Sequence, residues 1–312
     1  MISLAFLLSC TMTDGNPSAR WVDTLPDSAA ATILWVGDAE EGDLSDWYDY
    51  EDDDYYSGGG VFCTPASPGG VDSGPAWTAE ASAALAHSGS YGAEATIRGA
   101  ARAENGNRAV RLMRWTDKPW DQGGEYFPGS AYYSTWMYFP ERYDPGKVPP
   151  WDPGDGGWWN VFQFKSDNEA GVSNPMVVVN IALDEELGEM VFYVSEKRYQ
   201  DQTTSDHTLI IHEQDSPVPL PVGRWFHVEA YYRRSTTGDG AFTLWQDGAR
   251  LFELTGITTA LTDEVSWGIG NYTDHIQAVD SLGNAVGTVG TATIYFDDAA
   301  VATAPLHPYT LR

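Results

Sequence analysis

The 312-residue chain predicts an all-β fold in which two antiparallel sheets pack face to face, and three observations carry that reading. Apolar residues recur at every second position in short runs. Turn-forming residues punctuate those runs, with 32 Gly and 18 Pro in the chain. No stretch sustains the 3.6-residue period of an amphipathic helix.

The elements follow in order. MISLAFLLSC, residues 1–10, is an apolar leader that is similar to the cleavage box of a bacterial lipoprotein, with Cys10 as the lipid anchor. Residues 11–30 are small and polar, as in a linker behind such an anchor. The expectation is an extracytoplasmic chain, secreted or tethered at a bacterial cell surface; the competing reading makes this segment a buried strand. No other segment reaches the 18 apolar residues of a membrane span. A single sandwich domain is expected over 31–304, since no composition shift or fixed repeat divides it, with a tail at 305–312. WYDYEDDDYYSGGG, residues 47–60, reads as a solvated acidic loop, with cation binding or substrate exclusion as the second reading.

Within the domain, strict alternation in WWNVFQFKSDN places Trp158, Asn160, Phe162 and Phe164 on one face and Trp159, Val161, Gln163 and Lys165 on the other. PMVVVNIALDEELGEMVFYVSEKRY gives two strands about a turn at 184–188, with Asn180 among apolar neighbours. In GRWFHVEAYYRRS, Phe226, Val228, Ala230 and Tyr232 face inward and His227, Glu229 and Tyr231 outward. Asp247-Gly248 signals a hairpin.

Charge narrows the function. With 45 Asp and Glu against 17 Lys and Arg, the net charge is -28, which excludes a nucleic-acid partner and disfavours an anionic membrane. Two Cys, at 10 and 63, form no disulfide framework, zinc site or redox pair. Eleven of the 17 cations nevertheless fall between Arg98 and Arg198, as a positive groove for a polyanion requires.

Several segments in this order carry a resemblance: DAEEGDLSDW, HSGSYGAEATI, RAVRLMRW, STWMYFP, VFQFK, LPVGRWFHVEAYYRR, DGAFTLWQDGARL, WGIGNY and IYFDDAAVA. From about Ile33 to Thr303 the chain resembles the concanavalin/laminin-G-like jelly rolls of bacterial polysaccharide lyases, above all the group of heparin lyase I and glucuronan lyase, and more distantly alginate lyases. The resemblance implies a monomeric enzyme that cleaves a uronic-acid-containing polysaccharide by β-elimination, with no cofactor in the chemistry. The second reading is a non-catalytic, lectin-like carbohydrate-binding module, because the same scaffold serves both.

β-Elimination needs a group to neutralise the uronate carboxylate, a base for the C5 proton and an acid for the leaving O4. The resemblance places Gln163 at the Gln of a Gln-x-His motif, but Lys165 stands where the His would be. A lysine serves as a base only when desolvation or nearby cations lower its pKa from about 10.4. A substrate carboxylate would raise it again, so the sequence favours Lys165 as the neutralising cation over Lys165 as the base. Tyr272 matches the family's catalytic tyrosine and in principle performs both proton transfers. Arg108, Arg111 and Arg114 share the strand of the family's arginine; Arg111 has the opposite parity to the other two. Asn180, Lys197, Tyr199 and Trp159 are expected to bind substrate. Trp115, Trp120, Trp151, Trp158 and Trp159 offer stacking platforms or core. Glu40 and Asp297 resemble a pair that holds a structural Ca²⁺ where first and last strands meet, capping of strand ends being the alternative. His212 and His275 are possible substitutes for the absent His. No pair of carboxylates suits glycoside hydrolysis, the best cluster, 184–189, lying on a turn.

Overall fold

The computed structural model describes residues 31–47, 60–63, 77–101, 107–115, 128–146, 158–184 and 186–306. The leader with Cys10, the linker, most of the acidic loop, Trp120, Trp151 and residues 307–312 lie outside the described residues, as does the side chain of Trp115.

The described residues form two large antiparallel sheets. Across the back sheet run β14 (Ala249–Ile257), β13 (Gly240–Gln246), β12 (Trp225–Arg233), β6 (Ser130–Tyr138), β17 (Ala292–Ala302), β4 (Gly92–Ile97) and β3 (Trp77–Ser82), with β1 (Ile33–Gly37) also paired to β17. The front sheet runs β11 (His207–His212), β10 (Glu189–Tyr199), β9 (Ser173–Asp184), β8 (Asn160–Asp167), β15 (Val265–Thr273), β5 (Arg108–Trp115) and β2 (Gly60–Cys63). A short pair, β7 (Arg142–Asp144) with β16 (Gln277–Val279), sits beside them. Strands distant in sequence lie side by side, as a jelly roll requires.

Alternation explains the layers. Phe226, Val228, Ala230 and Tyr232 of β12 are buried, as the sequence predicts, and meet Phe164, Phe162, Trp267 and Phe192 from the front sheet. Phe164 stacks on Tyr232 at 3.8 Å between ring centroids. Trp35 packs edge to face on Trp47 and Trp267 at 4.7 and 5.9 Å, and Trp47 lies tilted against Trp267 at 5.6 Å. Asp247 and Gly248, at φ 49° and 82°, make the predicted turn between β13 and β14, a conformation Gly tolerates and Asp adopts readily.

At the cleft, β8 departs from strict alternation. In β8, Asn160 is level with Asn180, but Phe162 is level with Val179, so two residues of β8 oppose one of β9. This β-bulge reverses the parity between Asn160 and Phe162. Trp159, Val161, Phe162 and Phe164 therefore all enter the core, while Trp158, Asn160, Gln163 and Lys165 share the open face.

Candidate active site

The open face of the front sheet holds a cavity of about 970 Å³. Its floor is a grid fixed by strand register. One row crosses four strands through Tyr272, Asn160, Asn180 and Tyr193. The next runs through Gly268, Gln163, Val178, Ser195 and Ile211. Lys165, level with Ser266 and Pro175, begins a third, so Gln163 lies between the Lys165 and Tyr272 levels.

Arg111 of β5 enters the same space. Its guanidinium carbon sits 3.8 Å from the centroid of the Tyr272 ring, a cation–π contact. Gly270, level with Arg111, lets β15 lie close against β5: a Cβ there would stand 2.3 Å from the Val110 carbonyl oxygen. Trp158 meets Tyr272 edge to face at 4.7 Å, and the Tyr272 hydroxyl accepts a hydrogen bond from Asn107 Nδ2 at 2.8 Å.

Polar groups in the floor hold one another in place. Asn160 Nδ2 donates to Gln163 Oε1 at 3.0 Å, Gln163 Nε2 contacts Met113 Sδ at 3.5 Å, and Asn180 Nδ2 donates to Ser195 Oγ at 3.0 Å. Burial, with the Arg111 and Lys197 charges, pushes the Lys165 ammonium down to about 8 against the opposing pull of Asp167. Burial also lowers Lys197 and pushes the Tyr193 phenol up to about 12.

Of the residues expected from sequence, Tyr272, Lys165, Gln163, Arg111, Asn180 and Lys197 line this cavity. Four others do not. Arg108 is buried on the opposite face of β5, its Nε donating to the Arg98 carbonyl. Arg114, of the same parity, lies 5.8 Å from the Trp35 ring. Trp159 is carried into the core by the bulge and donates its indole N–H to Asn271 Oδ1 at 2.9 Å. Tyr199 packs against the core and donates to the Pro175 carbonyl at 2.7 Å. His212 bonds Glu196 and His275 bonds Asp274, and neither lines the cavity. Trp158, which the sequence offers as a stacking platform or as core, lines the cavity, as do Asn160 and Tyr193, which the sequence does not single out as site residues. Only the bulge exposes the first two, and Tyr193 was legible as the cross-strand partner of Asn180 once the hairpin turn was placed.

Glu40 and Asp297 act elsewhere. Both Glu40 oxygens accept from the Ser90 N–H, and one also from that of Tyr91. Asp297 Oδ2 accepts from the N–H groups of His87 and Ser88. Asp298, at φ 46° in a bulge of β17, bonds the His87 ring and the Ser88 hydroxyl. Glu40, in the loop after β1, and Asp297 and Asp298, within β17, thus grip one segment, 87–91.

A jelly roll with a polar cleft laid across one sheet is a scaffold whose activity is not set by the fold alone. The chain belongs to the polysaccharide lyase family, whose pattern residues 39–300 match, and its activity is that of a polysaccharide lyase. No curated protein matches it by sequence. Among solved structures, an endo-β-1,4-glucuronan lyase from the fungus Trichoderma reesei is 16% identical over 88% of this chain and 96% of that one, with a TM-score of 0.57, and shares the fold. The cellulose-induced protein Cip1 is 15% identical over 78% and 92%, TM-score 0.42. An alginate lyase from Aplysia kurodai is 11% identical over 74% and 87%, TM-score 0.42.

Proposed function

We propose that the chain cleaves a uronic-acid-containing polysaccharide by β-elimination, using Lys165 as base and Tyr272 as acid. The carrying observation is that a chain of net charge -28 gathers Arg111, Lys165 and Lys197 around one cavity and holds Lys165 at about 8. A cationic cleft suits an anionic sugar, and an amine near neutrality can take a proton. The glucuronan lyase of like fold acts, by its name, on a polymer of this class.

Arg111 is permanently charged and its fork matches a carboxylate, so it takes the neutralising role that the sequence favoured for Lys165. Gln163 and Asn160 add amide contacts. The neutral Lys165 amine removes the C5 proton; the electron pair left on C5 forms the C4=C5 double bond as the C4–O4 bond breaks. O4 then takes the Tyr272 hydroxyl proton, a phenol being protonated at neutral pH. The ammonium and phenolate return to their starting forms by exchange with solvent.

The test is ultraviolet absorbance of the unsaturated uronate on incubation with glucuronan, alginate and heparin, with binding but no absorbance overturning the assignment. Lys165→Arg keeps the charge and removes the base. Turnover should fall at least about 100-fold, whereas retained turnover returns Lys165 to carboxylate neutralisation. Because Lys165 becomes neutral as pH rises through about 8, kcat/KM should climb up to that pH in the wild type.

A structural Ca²⁺ accompanies this reading. Glu40 and Asp297 offer hard oxygen ligands around segment 87–91, and burial beside Asp298 pushes the Asp297 carboxyl up to about 7, a cost that a cation would relieve. Among the described residues no three His, Cys, Asp or Glu side chains assemble as a metal group, so backbone carbonyls would have to complete the shell. The ion would brace the strand junction and take no part in proton transfer.

A further inference from the structure

The cleft changes character as it crosses the front sheet. Arg111 stands on β5, Lys165 on β8 and Lys197 on β10, and these are the Lys and Arg side chains among the described lining residues. At the β11 edge the lining turns aliphatic: Leu209 and Ile211 of β11 face the cavity, with Val178 of β9 in the same row as Ile211 and Ser195, while Asn180 and Tyr193 form the next row. Leu209 is 53% and Ile211 46% exposed, although each faces a groove rather than the core. Both are placed by register, Leu209 level with Lys197 and Ile211 with Ser195. Glu213, just past the strand end, also lines this arm and would repel a carboxylate.

Neighbouring strands lie about 4.8 Å apart, so β8 to β11 spans roughly 14 Å, enough for a second sugar beside the one being cleaved. A polymer with a carboxylate on every ring would meet Lys197 beside Leu209, but around Ile211 it would set its charge near aliphatic groups and Glu213. Leu209, Ile211 and Val178 offer no ring face for stacking, Tyr193 lying in the next row, but together they form a hollow for a methyl group. We propose that this arm is a subsite for an uncharged, methyl-bearing sugar, either a 6-deoxyhexose or an O-acetylated residue, adjacent to the uronate at the catalytic groups. The enzyme is thereby tuned to a mixed or acetylated polymer over a bare homopolymer of uronate. This rests on the uronate reading of the same cleft.

The test uses binding, so that it stands apart from turnover. In full-length Tyr272→Phe protein, calorimetry compares O-acetylated glucuronan oligosaccharides with the same material after alkaline deacetylation, and uronate–6-deoxyhexose oligosaccharides with uronate–hexose counterparts. Burying one methyl predicts about four-fold tighter binding of the methyl-bearing member, and whichever pair shows it identifies the source. Adding Leu209→Thr and Ile211→Thr, exposed β-branched changes that preserve the edge strand, should erase that preference and leave the plain oligosaccharide within about two-fold. Equal affinity within both pairs, no binding at all, or a preference that survives the double substitution overturns the subsite. Failure of wild-type protein to yield unsaturated uronate from any of these polymers instead sinks the elimination mechanism.

Discussion

The cleft face of the front sheet and the outer face of the back sheet both bury polar and aromatic side chains, but they dispose of them differently. On the back sheet, His87 stacks on Trp136 at 3.7 Å, and Tyr132, Tyr231 and Trp245 cluster at 5.2–6.2 Å. Glu229 is pushed up to about 8 by burial, yet one oxygen accepts the Leu306 N–H at 2.6 Å. On the front sheet, burial pushes Lys165 down to about 8, and that group lines an open cavity shared with Arg111, Gln163 and Tyr272. Desolvation of similar strength thus occurs on both faces. What separates a reactive group from a structural one is whether the surrounding chain closes over it or leaves room for a substrate.

The largest effect should come from the cleft. Tyr272→Phe is expected to lower kcat by about 10³-fold while the dissociation constant for a uronate oligosaccharide stays within about three-fold. Full turnover in that variant would move the acid elsewhere. Next, Arg111→Ala should cost about 100-fold in kcat/KM, and Arg114→Ala, of opposite parity on the same strand, no more than about two-fold. Equal losses would mean that the strand face is not what distinguishes them.

On the back face the readout is stability. Glu229 keeps in the folded state a proton that the unfolded chain loses near the ordinary carboxylate range. The stability it contributes is therefore complete below about 4.5 and lost as pH rises through about 8. Glu229→Gln should raise Tm at pH 8.5 by several degrees, on the order of a few kcal/mol, and change neither Tm at pH 4 nor turnover. A fall in Tm at pH 8.5 would show that the carboxylate is held by partners that outweigh its burial. Smallest of all, a chelator should lower Tm by about 2–4 °C through loss of Ca²⁺ from the Glu40–Asp297 junction. No shift on chelation would leave these carboxylates as caps of segment 87–91 alone.

Particular residues show how far the sequence could be read. Alternation was enough to bury Phe226, Val228, Ala230 and Tyr232 and to set Arg111 apart from Arg108 and Arg114, because a regular strand has period two. It failed at Trp158 and Trp159, whose roles are interchanged by one extra residue in β8. Nothing local in WWNVFQF marks that insertion; it is visible only against the partner strand. Tyr199 kept the predicted parity yet found a closer partner in Pro175, on a strand 24 positions earlier.

Periodicity and turn chemistry are local, so the sequence by itself determined the β-strands, the inward faces of the regular ones such as β12, and the supply of Gln163, Lys165 and Tyr272. Which of those side chains share a volume was decided by tertiary structure. Residues 111, 163, 197 and 272 meet only because β5, β8, β10 and β15 enter one sheet in an order unrelated to their order in the chain. The charge state of Lys165 belongs to the same level, since its depression comes from burial and from Arg111 and Lys197, neighbours that folding alone supplies.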